Sequence, residues 1–386
     1  MEPGTGLGWV AFQDGDGPWQ VIEGTGRTYS FLAPSGRYGV AFVCGRSGPR
    51  GEVVHATTAE LLALRAFCDP GDGGPLYKVT GTLRGVPAGD KATVQLSSRD
   101  RLSATMVSSD AGSYQGQAQA GLYDLMGVAF HDMVTDRVVM RRAVTIKAED
   151  TLDLDFQGPD SHSLIVAPLT IGGLTPEALE AIDGWVEVRT GRGSSINWRV
   201  PAPLNHVEQY PSLAAGELDP GDLQQLKLVA RRSGGSKIFS RAVIRLVRSP
   251  APLELALPPP FTAEVTKPTA AEPRLRTGFA PYDGALYYQL FAGVRGRNPG
   301  FEREWRATFT AAWLAGGTSY ALPDFSGLPG FDRGWSLQAG DYLWVESTAV
   351  RSGHTVDGLV ATERDPLFAA EAEFATQADM LDGTPP

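Results

Sequence analysis

A Gly-x-Tyr triplet stands immediately before an apolar run three times in this sequence: "GRY" at 36–38, "GLY" at 121–123 and "GDY" at 340–342. "GDL" at 221–223 is a weakened fourth copy, with Leu where the Tyr would stand. A chain that turns a tight corner into a buried strand needs a residue that accepts unusual backbone angles, and glycine does. A tyrosine near the start of that strand can pack its ring inward while its hydroxyl bonds to backbone. Repeated corners of this kind favour many short strands in stacked layers over a bundle of helices.

The runs between the corners agree. "YKVTGTL", "KATVQLSS", "GWVEVRT" and "YLWVE" alternate apolar and polar residues at period two, the mark of half-buried strands. Forty-six Gly and 28 Pro supply turns, and an apolar content of 42% is enough for a folded core. "DGDG" at 14–17 and "SGGS" at 233–236 read as hairpin turns. In "EWRATFTAAWL", Trp305, Ala307, Phe309, Ala311 and Trp313 recur at period two; Trp305, Phe309 and Trp313 also fit a helix, but the Thr and aromatic content favours strand, and the run is read so. Two stretches change period. Thr57 and Glu60 fit a capping box, and Leu61, Leu64 and Cys68 then fall on one helical face. A second short helix is predicted to start at Thr175-Pro176-Glu177.

Pro/Gly clusters at 69–75, 156–161 and 257–261 divide the chain into four segments of domain size. The predicted domains are 1–74, a module with a short helix and the Cys pair; 75–158; 159–258; and an aromatic-rich 259–386. The corner logic is that of immunoglobulin-like domains. The predicted fold is therefore all-β: tandem Greek-key β-sandwich modules with one or two short helices.

The net charge of -10 argues against a nucleic-acid partner, which calls for a basic stripe. No apolar run is long enough to span a bilayer as a helix. Cys44 and Cys68, the two cysteines, lie in one small module, and a disulfide closing that loop is expected, worth about 3 kcal/mol in the chain-entropy account. Two buried thiols are the alternative. The histidines, at 55, 131, 162, 206 and 354, show no metal-ligand spacing, so neither a metal nor a cofactor is expected. His131 beside Asp132 and His206 near Glu208 are the nearest acid/base pairs, and both read as exposed loop residues. Asp153 and Asp155 share one strand face, an arrangement ill suited to a glycosidase pair. No nucleophile elbow, phosphate loop or H-E-x-x-H motif occurs, so no catalytic residue is assigned.

The strongest compositional signal is aromatic. Fifteen of the seventy residues from 276 to 345 are Phe, Tyr or Trp, more than double the 9% of the whole chain. A sandwich core needs such residues, and so does a surface that stacks on sugar rings or grips a partner. Tyr288, Trp305, Trp313, Trp335 and Trp344 are the candidate ligand-binding residues, with "RGRNPGFERE" at 295–304 as a polar rim.

Two resemblances carry expectations about location. "YKVTGTLRGVPAGDKATVQLSS" with the later "SYQGQAQAGLYDLMGVAF" resembles the transthyretin-like modules of carboxypeptidase regulatory domains and of many bacterial surface proteins. "QDGDGPWQ", "YSFLAPSGRYGVAFVC" and "TTAELLALRAFC" resemble the N-terminal part of uncharacterised bacterial envelope lipoproteins. That resemblance implies export to the periplasm or cell surface. It also implies a lipid anchor preceding Met1, which we read as added at a mature terminus. The expected function is non-enzymatic: adhesion or scaffolding in the bacterial envelope, with an envelope protein or glycan as partner. The alternative is carbohydrate or peptide binding by the aromatic-rich C-terminal segment.

Overall fold

Strands make up 59% and helix 4% of a computed structural model of the chain, which is an all-β protein. The structure describes residues 7–23, 29–45, 49–64, 75–87, 89–98, 101–107, 112–131, 134–174, 180–191, 194–202, 207–296, 301–353, 355–356 and 371–381. Two compact units form, each discontinuous in sequence. The first takes Met1–Asp72, Arg231–Ala242 and Pro258–Pro386, and the second takes Gly73–Ala230 and Val243–Leu257.

The first unit is a sandwich. Its large sheet includes the strands Ala372–Leu381, Leu343–Ser352, Tyr287–Arg295, Phe301–Thr310, Arg50–Thr57, Arg37–Cys44, Leu7–Asp14 and Gln20–Val21, in that spatial order. Period two sends Ala41, Val43, Val53, Leu290, Ala292, Trp305, Ala307 and Val345 into one core. A small sheet of Ala263–Thr266, Arg276–Phe279 and Ser319–Ala321 faces them with Ala263, Phe279 and Tyr320. The N-terminal strands are apolar on both faces, because Val40, Phe42, Val54 and Tyr38 build a second cluster on the reverse side with Leu61. Such a sheet needs cover twice over, since each fully buried large side chain contributes about 1.5–3 kcal/mol. The fourth sequence segment covers one face. Its strand Phe301–Thr310 joins Arg50–Thr57 in parallel, Glu304 opposite Arg50 and Phe309 opposite His55.

The second unit has two cores around one shared sheet. Along Gly121–His131 and Val134–Ile146, Tyr123, Leu125, Ala129, Val139 and Ile146 enter the first core. Met126, Val128, Val138 and Met140, on the opposite face, enter the second, with Val186, Trp198, Leu226 and Val243.

Three of the four corner glycines use the predicted conformation: φ is 74° at Gly36, 92° at Gly221 and 91° at Gly340. The Tyr38 hydroxyl donates to the Leu61 carbonyl at 2.6 Å. Gly121 differs, since it opens the strand Gly121–His131 without a positive φ. In the second unit a buried Tyr114 hydroxyl donates to the Leu152 carbonyl, and the Tyr114 ring packs where a Cβ on Gly81 would stand.

The helix predicted from Thr57 is a single turn. The Glu60 carboxylate accepts from Thr57 N at 3.0 Å, one half of a capping box, and from Thr57 Oγ1 at 2.9 Å, while Glu60 N donates to the Thr57 carbonyl at 3.0 Å. It also accepts from Thr310 Oγ1 at 2.7 Å, which ties the turn to the neighbouring strand, and residues 61–64 are not helical. Residues 65–68 and the helix start at Thr175 lie outside the described residues. "EWRATFTAAWL" is strand only to Thr310. There Thr310 Oγ1 accepts from Trp313 N at 3.1 Å and caps one helical turn, Ala311–Leu314.

Candidate functional site

The five candidate aromatic residues do not form one surface. Tyr288 and Trp305 are buried in the core of the first unit, 5% and 3% exposed, so neither presents a ring face at the protein surface. Period-two burial is the reason: both point between the two sheets. Tyr288 stacks on Phe279 with centroids 4.6 Å apart, and its hydroxyl accepts from Tyr282 N at 3.0 Å. Trp305 packs where a Gly51 side chain would be and donates from Nε1 to the Trp335 carbonyl at 2.7 Å. Trp335 is half-buried, edge-on to Phe331 at 5.4 Å.

Trp344 projects from the opposite face of the same sheet. The Arg295 guanidinium sits 4.8 Å from the Phe301 ring and 5.5 Å from the Trp344 ring. Phe291 meets Phe301 edge-on at 5.2 Å, and Trp344 Nε1 donates to Glu346 Oε1 at 2.7 Å. All four aromatic and arginine side chains are half-buried. The face continues as a charge ladder in which Arg50 pairs with Glu304 and Arg306 stands opposite Glu52. Burial raises the pKa of Glu52 despite both arginines.

Trp313 belongs to a third place, built around His55. On the strand Arg50–Thr57 this histidine points inward, opposite Gly39, and a Cβ on Gly39 would lie 2.8 Å from the imidazole. Glycine is therefore what lets the ring lie flat. The Trp313 ring is 4.1 Å from it, Tyr320 is 5.5 Å away and Trp19 5.8 Å. Arg37 closes the group. Its guanidinium carbon is 5.3 Å from the Trp313 ring, and it donates to the Trp313 carbonyl at 2.8 Å and pairs with Asp16 at 3.4 Å. Burial first, and the Arg37 charge second, lower the His55 pKa from 6.5 to about 3, so the ring is neutral. Burial raises the Tyr320 phenol well above its ordinary range. Sequence reading passed over His55 as one of five scattered histidines. The signal it held was register: in "RGEVVHAT" position 55 shares the inward parity of Val53.

The remaining candidates stay apart. His131 pairs with Asp90 at 2.9 Å and is exposed, while Asp132, His206 and His354 lie outside the described residues. His162 pairs with Glu217. The Thr82 backbone N–H and nearby arginines lower the Asp153 pKa, a structural tie on an exposed edge. Cys44 is buried at the end of its strand, and Cys68 lies outside the described residues. Among the described residues, no three His, Cys, Asp or Glu side chains gather in a way that could hold a metal ion. Among the described residues, no helix is long and apolar enough to cross a membrane.

Inside the second unit, polar side chains join the two cores. Asp124, 1% exposed, accepts from Thr190 Oγ1 at 2.7 Å and from Ala143 N at 3.0 Å. Ser194 Oγ donates to the Ser97 carbonyl at 2.7 Å, and Ser195 N donates to Ser97 Oγ at 3.0 Å. Arg142 grips Asp222 with two nitrogens, at 3.2 and 2.6 Å, and reaches Asp219 at 2.9 Å.

No protein-family model matches the sequence, and no curated protein matches it. Among solved structures, a DUF3823 family protein from Bacteroides ovatus is 12% identical, covers 45% of this chain and 93% of its own, and has a TM-score of 0.16. One from Parabacteroides merdae is 10% identical over 71% of this chain and 90% of its own, with a TM-score of 0.15. The chicken CNTN1 FN1–FN3 domains are 9% identical over 81% and 88%, with a TM-score of 0.17. Scores this low carry no argument about function.

Proposed function

We propose that the protein is an exported, non-enzymatic scaffold or adhesin of the bacterial envelope, built to hold β-sandwich layers at fixed spacing. The observation that supports this reading is the buried polar joint of the second unit. A flexible linker between sandwiches leaves few crossing contacts. Here a buried carboxylate, two serines and a bidentate Arg–Asp pair set the angle between two cores, and such bonds are directional in a way that apolar packing is not. The test has two parts. Fractionation of the native host with surface proteolysis should find the chain in the envelope, and recovery only from the cytosol sinks the reading. Spin labels on exposed Leu76 and Leu174 should give one narrow distance distribution that broadens in Asp124→Ala.

A second reading is favoured by the outward face that carries Arg295, Phe301 and Trp344. Rings flanked by charged groups suit a glycan or an extended peptide. A glycan array compared with Trp344→Ala tests it; binding that ignores the substitution removes this face from consideration.

A further inference from the structure

Among the described residues, four neighbouring side chains of the first unit carry five buried polar atoms with no protein partner: His55 Nδ1 and Nε2, Trp313 Nε1, the Tyr320 hydroxyl and Arg37 Nε. Each such atom costs about 1–3 kcal/mol when left unbonded. A site that served packing alone would hold Phe or Leu at 55 and 320 and avoid that cost. His55 is 2% exposed and Tyr320 4%, so bulk water does not reach them freely.

The chemistry of the four side chains is one-sided. Indole and guanidinium nitrogens only donate; the phenol and one imidazole nitrogen can also donate; only the phenol oxygen and the other imidazole nitrogen accept. Arg37 adds a positive charge, offset in part by Asp16, whose side chain is 82% exposed. An excess of donors beside a cation selects an occupant with acceptor oxygens and a negative charge. Trp313 lies against the imidazole at 4.1 Å and Trp19 meets it edge-on at 5.8 Å, so only a small occupant fits beside the ring. Arg37 is also placed to admit it: its side chain is 34% exposed, while the imidazole behind it is buried. We propose that Arg37, His55, Trp313 and Tyr320 form an internal binding site for a small carboxylate, which enters past the Arg37 side chain.

The probes are acetate, formate and N-acetylglycine, titrated into the full chain while the His55 ring protons are followed by NMR, with acetamide as the neutral control. Saturable shifts with acetate or formate are expected, and Arg37→Gln should weaken them by about tenfold, or ~1.4 kcal/mol. Arg37 stands at the rim, so this variant leaves the core intact; Arg37→Lys should recover part of the affinity. Tighter binding of N-acetylglycine than of acetate would support a site that reads the carboxylate at a chain end, and the reverse order a site for a free acid. No saturable shift with any carboxylate overturns the proposal. So does acetamide binding as well as acetate, or an Arg37→Gln affinity equal to that of the parent.

Discussion

The carboxylate of Asp124 accepts a hydrogen bond from the Thr190 hydroxyl at 2.7 Å, sixty-six positions away, where both side chains are buried. This pair belongs to the joint between the two cores of the second unit, and its loss should be felt there. Asp124→Ala removes the acceptor for Thr190 Oγ1 and Ala143 N together and is expected to cost about 2–4 kcal/mol, since bonds to a charged group are worth about 1.5–3 kcal/mol each and are not additive. Thr190→Val should cost less, about 1 kcal/mol. Urea unfolding followed by tryptophan fluorescence gives both numbers, and equal, near-zero effects would deny the joint any structural weight.

Gly81 and Tyr114 should respond in a fixed order. Tyr114→Phe deletes the bond to Leu152 and is expected to cost about 1–1.5 kcal/mol. Gly81→Ala puts a Cβ against both the ring and the Leu152 carbonyl, and overpacking typically costs about 1–3 kcal/mol. The alanine variant should be the worse of the two, as read by thermal midpoints.

Acid should weaken the first unit through His55. The imidazole titrates at 6.5 when the chain is unfolded and at about 3 when folded. Between those values the unfolded chain binds the extra proton, so stability is full above pH 6.5 and is lost as pH falls toward 3. The loss at pH 5 relative to pH 8 is about 2 kcal/mol from this group. Glu52, whose pKa is raised by burial, acts in the opposite direction as its proton is taken up. The measurement is therefore a difference: His55→Gln should flatten the profile by that amount, and parallel profiles for parent and variant would contradict a neutral, buried ring.

The two faces of the large sheet should separate Trp305 from Trp344. Trp305→Ala opens a cavity in the core and is expected to cost about 3–5 kcal/mol. Trp344→Ala, on the half-buried outer face, should cost no more than about 1 kcal/mol. Calorimetry of both variants checks the order.

Cys44 and Cys68 are expected to pair. Non-reducing peptide mapping of the protein purified from its native host should return one linked fragment; free thiols at both positions would place the chain in a reducing compartment.

Local rules carried much of this in the sequence. Alternation exposed the strands, and the corner glycines at 36, 221 and 340 adopt the backbone that their triplets imply. The triplet at 121 misled because a strand tolerates Gly-x-Tyr as readily as a turn does. Capping chemistry at Thr57 and Glu60 was also legible. Residues 61–64 do not continue it as a helix, and Glu60 also takes a bond from Thr310, whose proximity no local pattern encodes. The same limit hid the site around His55, which draws Trp19, Arg37, Trp313 and Tyr320 from four separate stretches. Aromatic richness in the fourth segment was visible, whereas its division between a core, an outer face and the His55 group depends on which side of each strand is covered.

The parallel seam between Arg50–Thr57 and Phe301–Thr310 has a consequence for how the molecule is made. At about 5–20 residues per second, a ribosome needs tens of seconds to travel from one of these strands to the other. Throughout that interval the earliest strands are out of the tunnel with one greasy side uncovered. A nascent chain of this design closes that sheet only after the strand Phe301–Thr310 has emerged.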